Sequence, residues 1–553
     1  MLVVYKVIKY LEGRAKTSFS LDMVDHNEAK RVLTPLLSVG DHWRTAALES
    51  ICDNCELTFS HSRRAVEVKI PAWHADFSCP QLCKSSLGKR VVVSAVLWRD
   101  MCDGVFCDVI STMQDETVSF PSANTLVVYL DKTTEEESGG SAATSQEKVV
   151  DFARSLLRLA PAVTNIIVNF SYVSDRVSEY ARLYNTLVSE LYQGGVTSLE
   201  VYSELDGPPL LLSLRDTLGL TSITHGPRVS CAPFAKLAYL NTDTLKVLSI
   251  KAETQDNWLL LIYGDTETPA VYSSLITLTL DIVYTPYDTS WTAIEEAEPF
   301  PALSTLALVD GYPFDDDLLF RGNGMTLQNL QIPFGAIARN ILGRFGVLRR
   351  SGVTQMRSVR VSGIFDEDDA FMSENANVPI RQQVHRIMEA VTSLSLLSDV
   401  VGHPLFKSIK AAPKTSSLRH LEYTDEIPTL GGIISVVAAL PSLVILTCQV
   451  QRVGSTITNI PVDERPRRLR EKHYPLSDNF RVLRILHATE VPAEEIAYAA
   501  MLLAVLCPNL VQVDLPPGMR NMFGREIAWA MINDPFKPYS ESISRLIYRE
   551  VKN

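Results

Sequence analysis

A short apolar pattern recurs along most of this chain and restricts its fold more than any other feature. The pattern is an apolar residue, two of any type, an apolar residue, one of any type, and a third apolar residue. The clearest copies form a main series: Leu245-Leu248-Ile250, Leu275-Leu278-Leu280, Leu303-Leu306-Leu308, Leu327-Leu330-Ile332, Met356-Val359-Val361, Val391-Leu394-Leu396, Leu418-Leu421-Tyr423, Leu443-Leu446-Cys448, Phe480-Leu483-Ile485 and Leu510-Val513-Leu515.

The spacing within each copy predicts a strand with one buried face. The last two apolar positions are two residues apart, so they point to the same side of a strand, while the first packs on the approach to it. First positions of the main series lie roughly 24 to 37 residues apart, which meets and exceeds the range of leucine-rich repeats. Upstream, Val196-Leu199-Val201 fits the pattern well, while Val163-Ile166-Val168 and Ala123-Leu126-Val128 fit it less well.

The segments between the strands predict crossover helices and therefore a parallel sheet. Helix-like stretches cover residues 145–159, 176–192, 380–390, 431–440 and 493–506. Proline followed by a small or polar residue then leads into the first apolar position, as in Phe300-Pro301-Ala302-Leu303 and Leu440-Pro441-Ser442-Leu443, which is typical of a helix stop before a strand. One such unit cannot bury its own apolar face, whereas stacked units can. We therefore expect an α/β solenoid of the leucine-rich-repeat type, a horseshoe with a parallel sheet on its concave face and helices outside; a pair of α/β sheet domains with similar strands is the alternative.

The first 54 residues have a different, helical pattern. Apolar residues in 3–11 lie on one face of a short helix, and a second helical stretch follows with Leu33, Leu36, Leu37, Val39 and Trp43, before a predicted strand at 56–59. Leu36-Leu37-Ser38-Val39-Gly40-Asp41-His42-Trp43-Arg44 resembles the leucine-rich core of the F-box family, "L-x-x-V-x-x-x-W-R". The chain as a whole resembles F-box-like leucine-rich-repeat proteins of the irregular fungal type. It lacks the family's Leu-Pro opening, and its repeats lack the usual asparagine three residues after the last apolar position.

This resemblance implies two domains and a binding function. Residues 1–54 would form the F-box-like segment, and 55–553 an irregular solenoid with a helical cap at its C-terminal end. The segment would contact the adaptor of an SCF-type ubiquitin ligase through Leu33, Leu36, Leu37, Val39 and Trp43. The alternative is that these helices only cap the solenoid, and that the repeats form a scaffold with no connection to ubiquitin.

The side chains that alternate with the buried ones predict the surface that binds a partner protein. In a solenoid they face the concave side and are mostly small and polar, with a few charges. The expected contact residues are Lys251, Thr277, Thr279, Asp281, Arg360, His420 and Glu422. They do not form a catalytic set, so we expect a non-enzymatic protein that binds a target protein and needs no cofactor.

Composition excludes several other classes. The formal charge is −12, while proteins that bind the phosphate backbone of nucleic acids need a basic surface, so no nucleic acid is expected. We expect neither a membrane span nor a signal peptide, and the nine unevenly spaced cysteines fit reduced thiols in the cytoplasm or nucleus.

Two metal hypotheses are weaker than their structural alternatives. Cys52-x-x-Cys55 and Cys79-x-x-x-Cys83 have tolerable spacing for zinc, but Cys55 leads into a predicted strand, which favours buried thiols. The acidic runs 315–317 and 366–369 favour solvated loops over a cation site. Two polar segments are predicted insertions: 133–146, rich in Gly and Ser, and 463–473, rich in Arg.

Overall fold

The computed structural model divides the chain into two compact units, Met1–Leu275 and Ile276–Asn553. It describes residues 54–60, 65–69, 90–97, 120–131, 146–170, 177–192, 195–203, 218–226, 229–252, 255–264, 266, 269–282, 298–309, 326–333, 356–362, 385, 387–397, 416–427, 430–450, 477–488, 507, 509–516 and 547–550. The predicted F-box-like helices and adaptor contacts, Leu33 to Trp43, lie outside these residues.

Within the described residues, the first unit contains one ladder of strands, three helices between its strands and a fourth after its last strand. Its strands are β1 (Asn54–Ser60), β2 (Ala65–Lys69), β3 (Arg90–Leu97), β4 (Thr125–Asp131), β5 (Asn165–Phe170), β6 (Ser198–Ser203), β7 (Ser222–His225) and β8 (Val247–Ala252). Its helices are α1 (Gln146–Leu159), α2 (Val177–Leu191), α3 (Ala232–Leu240) and α4 (Gln255–Tyr263). β1 is antiparallel to β2 and parallel to β3, and β3 to β8 continue in parallel and in chain order.

The second unit contains a longer, wholly parallel ladder. Its strands are β9 (Thr277–Ile282), β10 (Thr305–Leu308), β11 (Asn329–Pro333), β12 (Ser358–Ser362), β13 (Ser393–Leu396), β14 (His420–Ile427), β15 (Ile445–Val450), β16 (Val482–Ala488), β17 (Gln512–Leu515) and β18 (Ile547–Glu550). Helix α5 (Leu430–Ala439) connects β14 to β15. Neighbours again follow chain order, as stacked α/β repeats do, whereas a doubly wound sheet reverses its strand order.

The repeated apolar pattern forms the core, as predicted. In all ten copies of the main series the second and third apolar positions lie on a strand and are buried. The first position is buried as well, except at Met356, which is half-buried. Each buried aliphatic side chain of this kind stabilises the fold by about 1.5–3 kcal/mol relative to an exposed one. The aliphatic positions of the repeats therefore supply a large share of the stabilisation.

Consecutive repeats are joined at the strand start by a carbonyl that accepts two N–H groups. The N–H groups of Ser304 and Thr305 both donate to the carbonyl of Ile276, at 2.9 and 3.0 Å. The same arrangement recurs at the carbonyls of Asn124, Thr164, Thr197, Thr221, Ser304, Gln328, Arg357, Thr392, Arg419, Val444 and Arg481. These bonds fix which residues face each other before the strands themselves begin.

The proline phrases form the turns that precede the strands, also as predicted. The N–H of Leu303 donates to the carbonyl of Phe300 at 3.2 Å, and that of Leu443 to the carbonyl of Leu440 at 3.0 Å. Proline at the second position of such a turn already has the required φ. Phe120-Pro121-Ser122-Ala123 forms a further turn of this kind, in which the N–H of Ala123 donates to the carbonyl of Phe120 at 3.1 Å.

The residue before the first apolar position often reaches back to the preceding repeat. Thr244 donates through its hydroxyl to the carbonyl of Leu220 at 2.7 Å, and Thr326 to that of Leu303 at 2.8 Å. Ser274, Ser417, Asn479 and Asn509 make corresponding bonds to the main chain. At Gly195 and Gly219, the same position has a positive φ, of 105° and 90°, which other residues rarely adopt.

Asn241 connects the end of α3 to the preceding repeat. Its side chain is buried, its Oδ1 accepts from the N–H of Leu220 at 2.9 Å, and its Nδ2 donates to the carbonyl of Leu237 at 2.8 Å. Leaving a buried polar group without its partner costs about 1–3 kcal/mol, so replacing Asn241 should lower the stability of the fold clearly.

We expect Asn241→Ala to lower the free energy of unfolding by roughly 2 kcal/mol, because the N–H of Leu220 loses its acceptor inside the protein. Urea denaturation followed by circular dichroism measures the change. Asn124→Ala is the control, since that side chain is exposed and the loss should stay within about 0.5 kcal/mol. Equal losses in the two variants would contradict the role assigned to Asn241.

A buried histidine makes a second side-chain link between repeats. His225 occupies the third apolar position of a copy that starts at Leu220, and its ring lies 5.1 Å from that of Phe234. Nε2 donates to the carbonyl of Val229, and Nδ1 accepts from the N–H of Lys251 at 3.1 Å. One donor and one acceptor match a neutral imidazole. Desolvation is the main reason that the pKa of His225 falls to about 4.

This histidine predicts a loss of stability in acid. The unfolded chain binds the proton near pH 6.5 and the folded chain only near pH 4, so stability falls as the pH drops through that window. The loss is on the order of 3 kcal/mol at its limit. Unfolding measured from pH 7 to pH 4 should show a shallower fall for His225→Asn than for the wild type. The control His487→Asn, at an exposed position on β16, should keep the wild-type slope.

The structure confirms most of the predicted elements and adds several. Predicted helices at 145–159, 176–192 and 431–440 correspond to α1, α2 and α5, and the predicted first strand lies in β1. β2, β3, β7, β18, α3 and α4 had not been predicted. The helix expected at 493–506 lies outside the described residues, and the C-terminal helical cap stays a prediction. Positions 253, 311, 335 and 399, which follow the last apolar position by three residues and lack the usual asparagine, also lie outside them.

Candidate functional site

The candidate site is the face of the second ladder opposite the buried leucines, which we call the polar face. The parallel register aligns its side chains into rows that run across the strands. The first row is Thr277, Thr305, Asn329, Ser358, Ser393, His420, Ile445, Val482 and Gln512. The middle row is Thr279, Ala307, Gln331, Arg360, Ser395, Glu422, Thr447, Arg484 and Asp514.

Hydrogen bonds between strands hold part of the first row in place. The Asn329 amide donates to Oγ1 of Thr305 at 3.2 Å, and Oγ of Ser358 donates to Oδ1 of Asn329 at 2.7 Å. The three side chains are half-buried, so they keep one side toward solvent. This part of the polar face is therefore ordered before any partner arrives, which lowers the entropic cost of binding.

The charged residues of the middle row alternate in sign. Arg360 is followed by Glu422, Arg484 and Asp514 along the row. Oγ of Ser395 donates to Oε2 of Glu422 at 2.8 Å, and Nε of Arg484 lies 3.2 Å from Oδ2 of Asp514. The Gln512 amide donates to both carboxylate oxygens of Asp514, at 2.9 and 2.8 Å. Both carboxylates thus have partners within the row.

Burial and neighbouring charge act in opposite directions on Arg360. Desolvation lowers its pKa, and the carboxylate of Glu422 raises it. Because guanidinium stays protonated at any ordinary pH, the positive charge remains on a half-buried side chain. A positive charge placed in this way favours a partner that offers a carboxylate.

His420 marks the place where the first row becomes apolar. Partial desolvation of its ring, and then the positive charges of Arg419 and Arg484, lower the pKa of His420, which favours a neutral ring at physiological pH. The next residues in the row are Ile445 and Val482, both half-buried. Two aliphatic side chains on adjacent strands form an apolar step on an otherwise polar face.

The corresponding face of the first unit has a different chemistry. From β3 to β5 its middle row has three aliphatic residues, Val92, Val127 and Ile167, of which Val127 is fully buried. Glu200, Thr224 and Ser249 follow, and Glu200 accepts a hydrogen bond from the hydroxyl of Tyr202 at 3.0 Å. Because Val127 is covered, this face of β4 is not open to a partner. On β9 to β17 the middle-row side chains keep one side toward solvent.

The predicted contact residues lie on these faces but do not form one cluster. Thr277, Thr279 and Asp281 are on β9, Arg360 is on β12, and His420 and Glu422 are on β14, while Lys251 is on β8 of the first unit. Further residues of the polar face had not been predicted, among them Ile445, Val482, Arg484, Gln512 and Asp514. The same alternation between buried positions would have identified them, since they occupy equivalent places in later repeats.

Nothing in the described part of the chain supports the metal hypotheses. No group of three or more His, Cys, Asp or Glu side chains among the described residues is placed to hold a metal ion. Cys52, Cys79, Cys83 and both acidic runs lie outside those residues. Cys448 is a core residue of β15, and burial raises the pKa of its thiol to about 12. It remains a protonated thiol at neutral pH.

Of the helices in the described ranges, none has both the length and the apolar character that a membrane crossing requires. Comparison of the chain with protein-family models finds no match, and comparison with curated proteins finds no significant match.

Proposed function

We propose that this protein is a non-catalytic binding module: a leucine-rich-repeat solenoid, with its sheet on the concave face, that selects a target protein. The F-box-like residues 1–54 would dock the adaptor of an SCF-type ubiquitin ligase, making the chain its substrate-recognition subunit. The observation that carries the proposal is the polar face, on which β9 to β17 align small, polar and charged side chains in rows.

The chemistry of the polar face suits a protein partner. Hydroxyl, amide, carboxylate and guanidinium groups alternate along it at the spacing of neighbouring strands, about 4.8 Å. A polypeptide surface offers matching donors, acceptors and charges, and complementary charge selects among partners more than it adds raw affinity. The groups are held by Ser395, Asn329 and Gln512, so the pattern is stable enough to be recognised.

The alternative proposal is a repeat scaffold with no ubiquitin connection. The first ladder supports a structural task for the N-terminal segment, because β1, which pairs with both β2 and β3, directly follows residues 1–53. In that case the helices predicted there cover the end of the solenoid. Purification of full-length and altered chains separates the two proposals.

We expect the tagged full-length chain to co-purify with an SCF adaptor, and Leu37→Asp combined with Trp43→Asp to abolish this association, because charged groups replace the predicted apolar contact. Quantitative mass spectrometry of the purified material is the measurement. Asp41→Asn is the control, since it changes a polar residue of the same segment. An adaptor absent from both the wild type and the control would support the scaffold instead.

The polar face has its own test. Arg360→Gln should reduce recovery of target proteins by at least about threefold while adaptor recovery stays constant, because a half-buried charge of the middle row is lost. Arg357→Gln is the matched control: it removes an exposed arginine just before the same strand. If both variants recover targets as the wild type does, target binding does not use this part of the polar face.

A further inference from the structure

Two opposite charges occupy alternate strands in the middle row of the polar face. Arg360 lies on β12 and Glu422 on β14, and Ser395 stands between them on β13. Neighbouring strands are about 4.8 Å apart, so the main-chain positions of the two charged residues are about 10 Å apart along the row. β14 also contains Asp425 and Glu426, so acidic residues are concentrated on this strand. The order of the charges along the row, rather than a net charge, can therefore select a partner.

The side chains around these two positions are short. Ser358 and Ser393 lie in the first row on β12 and β13, next to Ser395 of the middle row, and all three are half-buried. A partner can therefore come close to the sheet between the two charges. The hydroxyl of Ser395 also donates to Oε2 of Glu422 at 2.8 Å, which orients this carboxylate and leaves Oε1 able to accept from a partner.

The apolar step formed by Ile445 and Val482 lies further along the same direction. The two residues face each other on β15 and β16, so the middle of the step is three and a half strand spacings from β12, or about 17 Å. The step belongs to the first row, which is about 7 Å from the middle row along the strands. An element about 10 Å wide that lies along the rows can therefore contact both rows.

These spacings match an α-helix better than an extended chain. A helix rises about 1.5 Å per residue, so positions i, i+7 and i+11 lie on one face at about 0, 10.5 and 16.5 Å. An extended chain rises about 3.3 Å per residue, so three residues cover about 10 Å but place their side chains on opposite faces. The helix is thus the element that brings three side chains to Arg360, Glu422 and the apolar step together.

The order of the charges also favours one direction of the helix. A carboxylate near the N-terminal end of a helix and a basic residue nearer its C-terminal end are both stabilised by the helix dipole. The carboxylate faces Arg360 and the basic residue faces Glu422 when the helix runs from β12 toward β16. The reverse direction would place the basic residue before the acidic one, against the dipole.

We propose that β12 to β16 form a subsite for one α-helix of the target protein, with a carboxylate at position i, a basic residue at i+7 and a large apolar residue at i+11. The carboxylate pairs with Arg360 and the basic residue with Glu422, through charge-assisted hydrogen bonds. The apolar side chain covers Ile445 and Val482. The inference rests on the proposed binding function and specifies the shape and chemistry of its target.

The first test uses the full-length chain and three fluorescent peptides of about 20 residues, each held helical by the same covalent staple on its outer face. The first peptide has Glu at i, Lys at i+7 and Leu at i+11. The second exchanges Glu and Lys, and the third moves Lys to i+5, away from the binding face. All three have one composition and one net charge. We expect the first to bind at least about tenfold more tightly in fluorescence anisotropy. Equal affinities, or no binding by the first peptide, overturn the subsite.

Variants of the protein locate the binding. Arg360→Gln and Glu422→Gln should each weaken the first peptide by at least about fivefold, because each removes one ion pair. Arg357→Gln and Asp478→Asn are the matched controls, at exposed positions before β12 and β16, and should bind as the wild type does. Circular dichroism and thermal unfolding verify the fold, and if one variant unfolds the other decides. Unchanged affinity in a folded variant contradicts the inference.

A reversal of charge gives a gain that a damaged site cannot give. Glu422→Lys should prefer a fourth peptide, with Glu at both i and i+7, over the first peptide by at least about fivefold. The wild type should have the opposite preference. The same preference in both proteins would show that the residue at i+7 does not face Glu422, which overturns the subsite.

Two further outcomes separate the possible explanations. An unstapled peptide with two central prolines that binds as tightly as the first peptide would replace the helix with an extended segment, which overturns the proposal. Target proteins that are recovered in dependence on Arg360, together with equal affinities of the three stapled peptides, overturn the subsite and leave the proposed function intact. An absence of targets with the wild type and every variant counts against the proposed function itself.

Discussion

The carbonyl that accepts two N–H groups at the start of twelve of the described strands is the interaction on which the rest of the structure depends. It fixes the alignment of one repeat on the next, and a shift of one residue would turn every buried leucine toward solvent. Because the bond involves main-chain atoms alone, it recurs with Ile276, Gln328 or Arg357 as the acceptor. Core and polar face are two results of the same alignment.

Side chains strengthen this alignment at particular repeats and so make it uneven. Thr244, Thr326 and Asn509 bond to the preceding repeat by similar routes, while Asn241 and His225 do so from inside the protein. Regular leucine-rich repeats place an asparagine at one fixed position for this purpose. Here the task is divided among hydroxyl, amide and imidazole groups, so a loss at one repeat leaves the others intact, and the stability of the ladder differs from place to place.

The core was predicted well because the buried positions of a strand are apolar and alternate along the sequence. Every second and third apolar position of the main series is buried, as expected from the alternation of side chains along a strand. β7 was not predicted because His225 stands at the third apolar position, where the other copies have an aliphatic residue, Tyr or Cys. Its two hydrogen bonds explain how a polar ring can be buried at this position. β2 and β3 escaped because they precede the regular series.

The candidate site was predicted only in outline. The rule of alternation placed Arg360, His420 and Glu422 on the correct face, but it gave no sign of which residues become neighbours. The Arg484–Asp514 pair and the Ile445–Val482 step depend on how far each strand is displaced along its neighbour, which is a property of two repeats together. The apolar pattern describes one repeat at a time, so it does not predict how two neighbouring strands are displaced relative to each other.

The main-chain bonds at the strand starts also bear on how such a sequence can change over generations. Since these main-chain bonds need no particular side chain, many substitutions at exposed positions leave them undisturbed, and residues can be gained or lost between strands at little cost. The intervals of roughly 24 to 37 residues are the visible result. The side chains of the polar face can therefore change while the architecture stays the same.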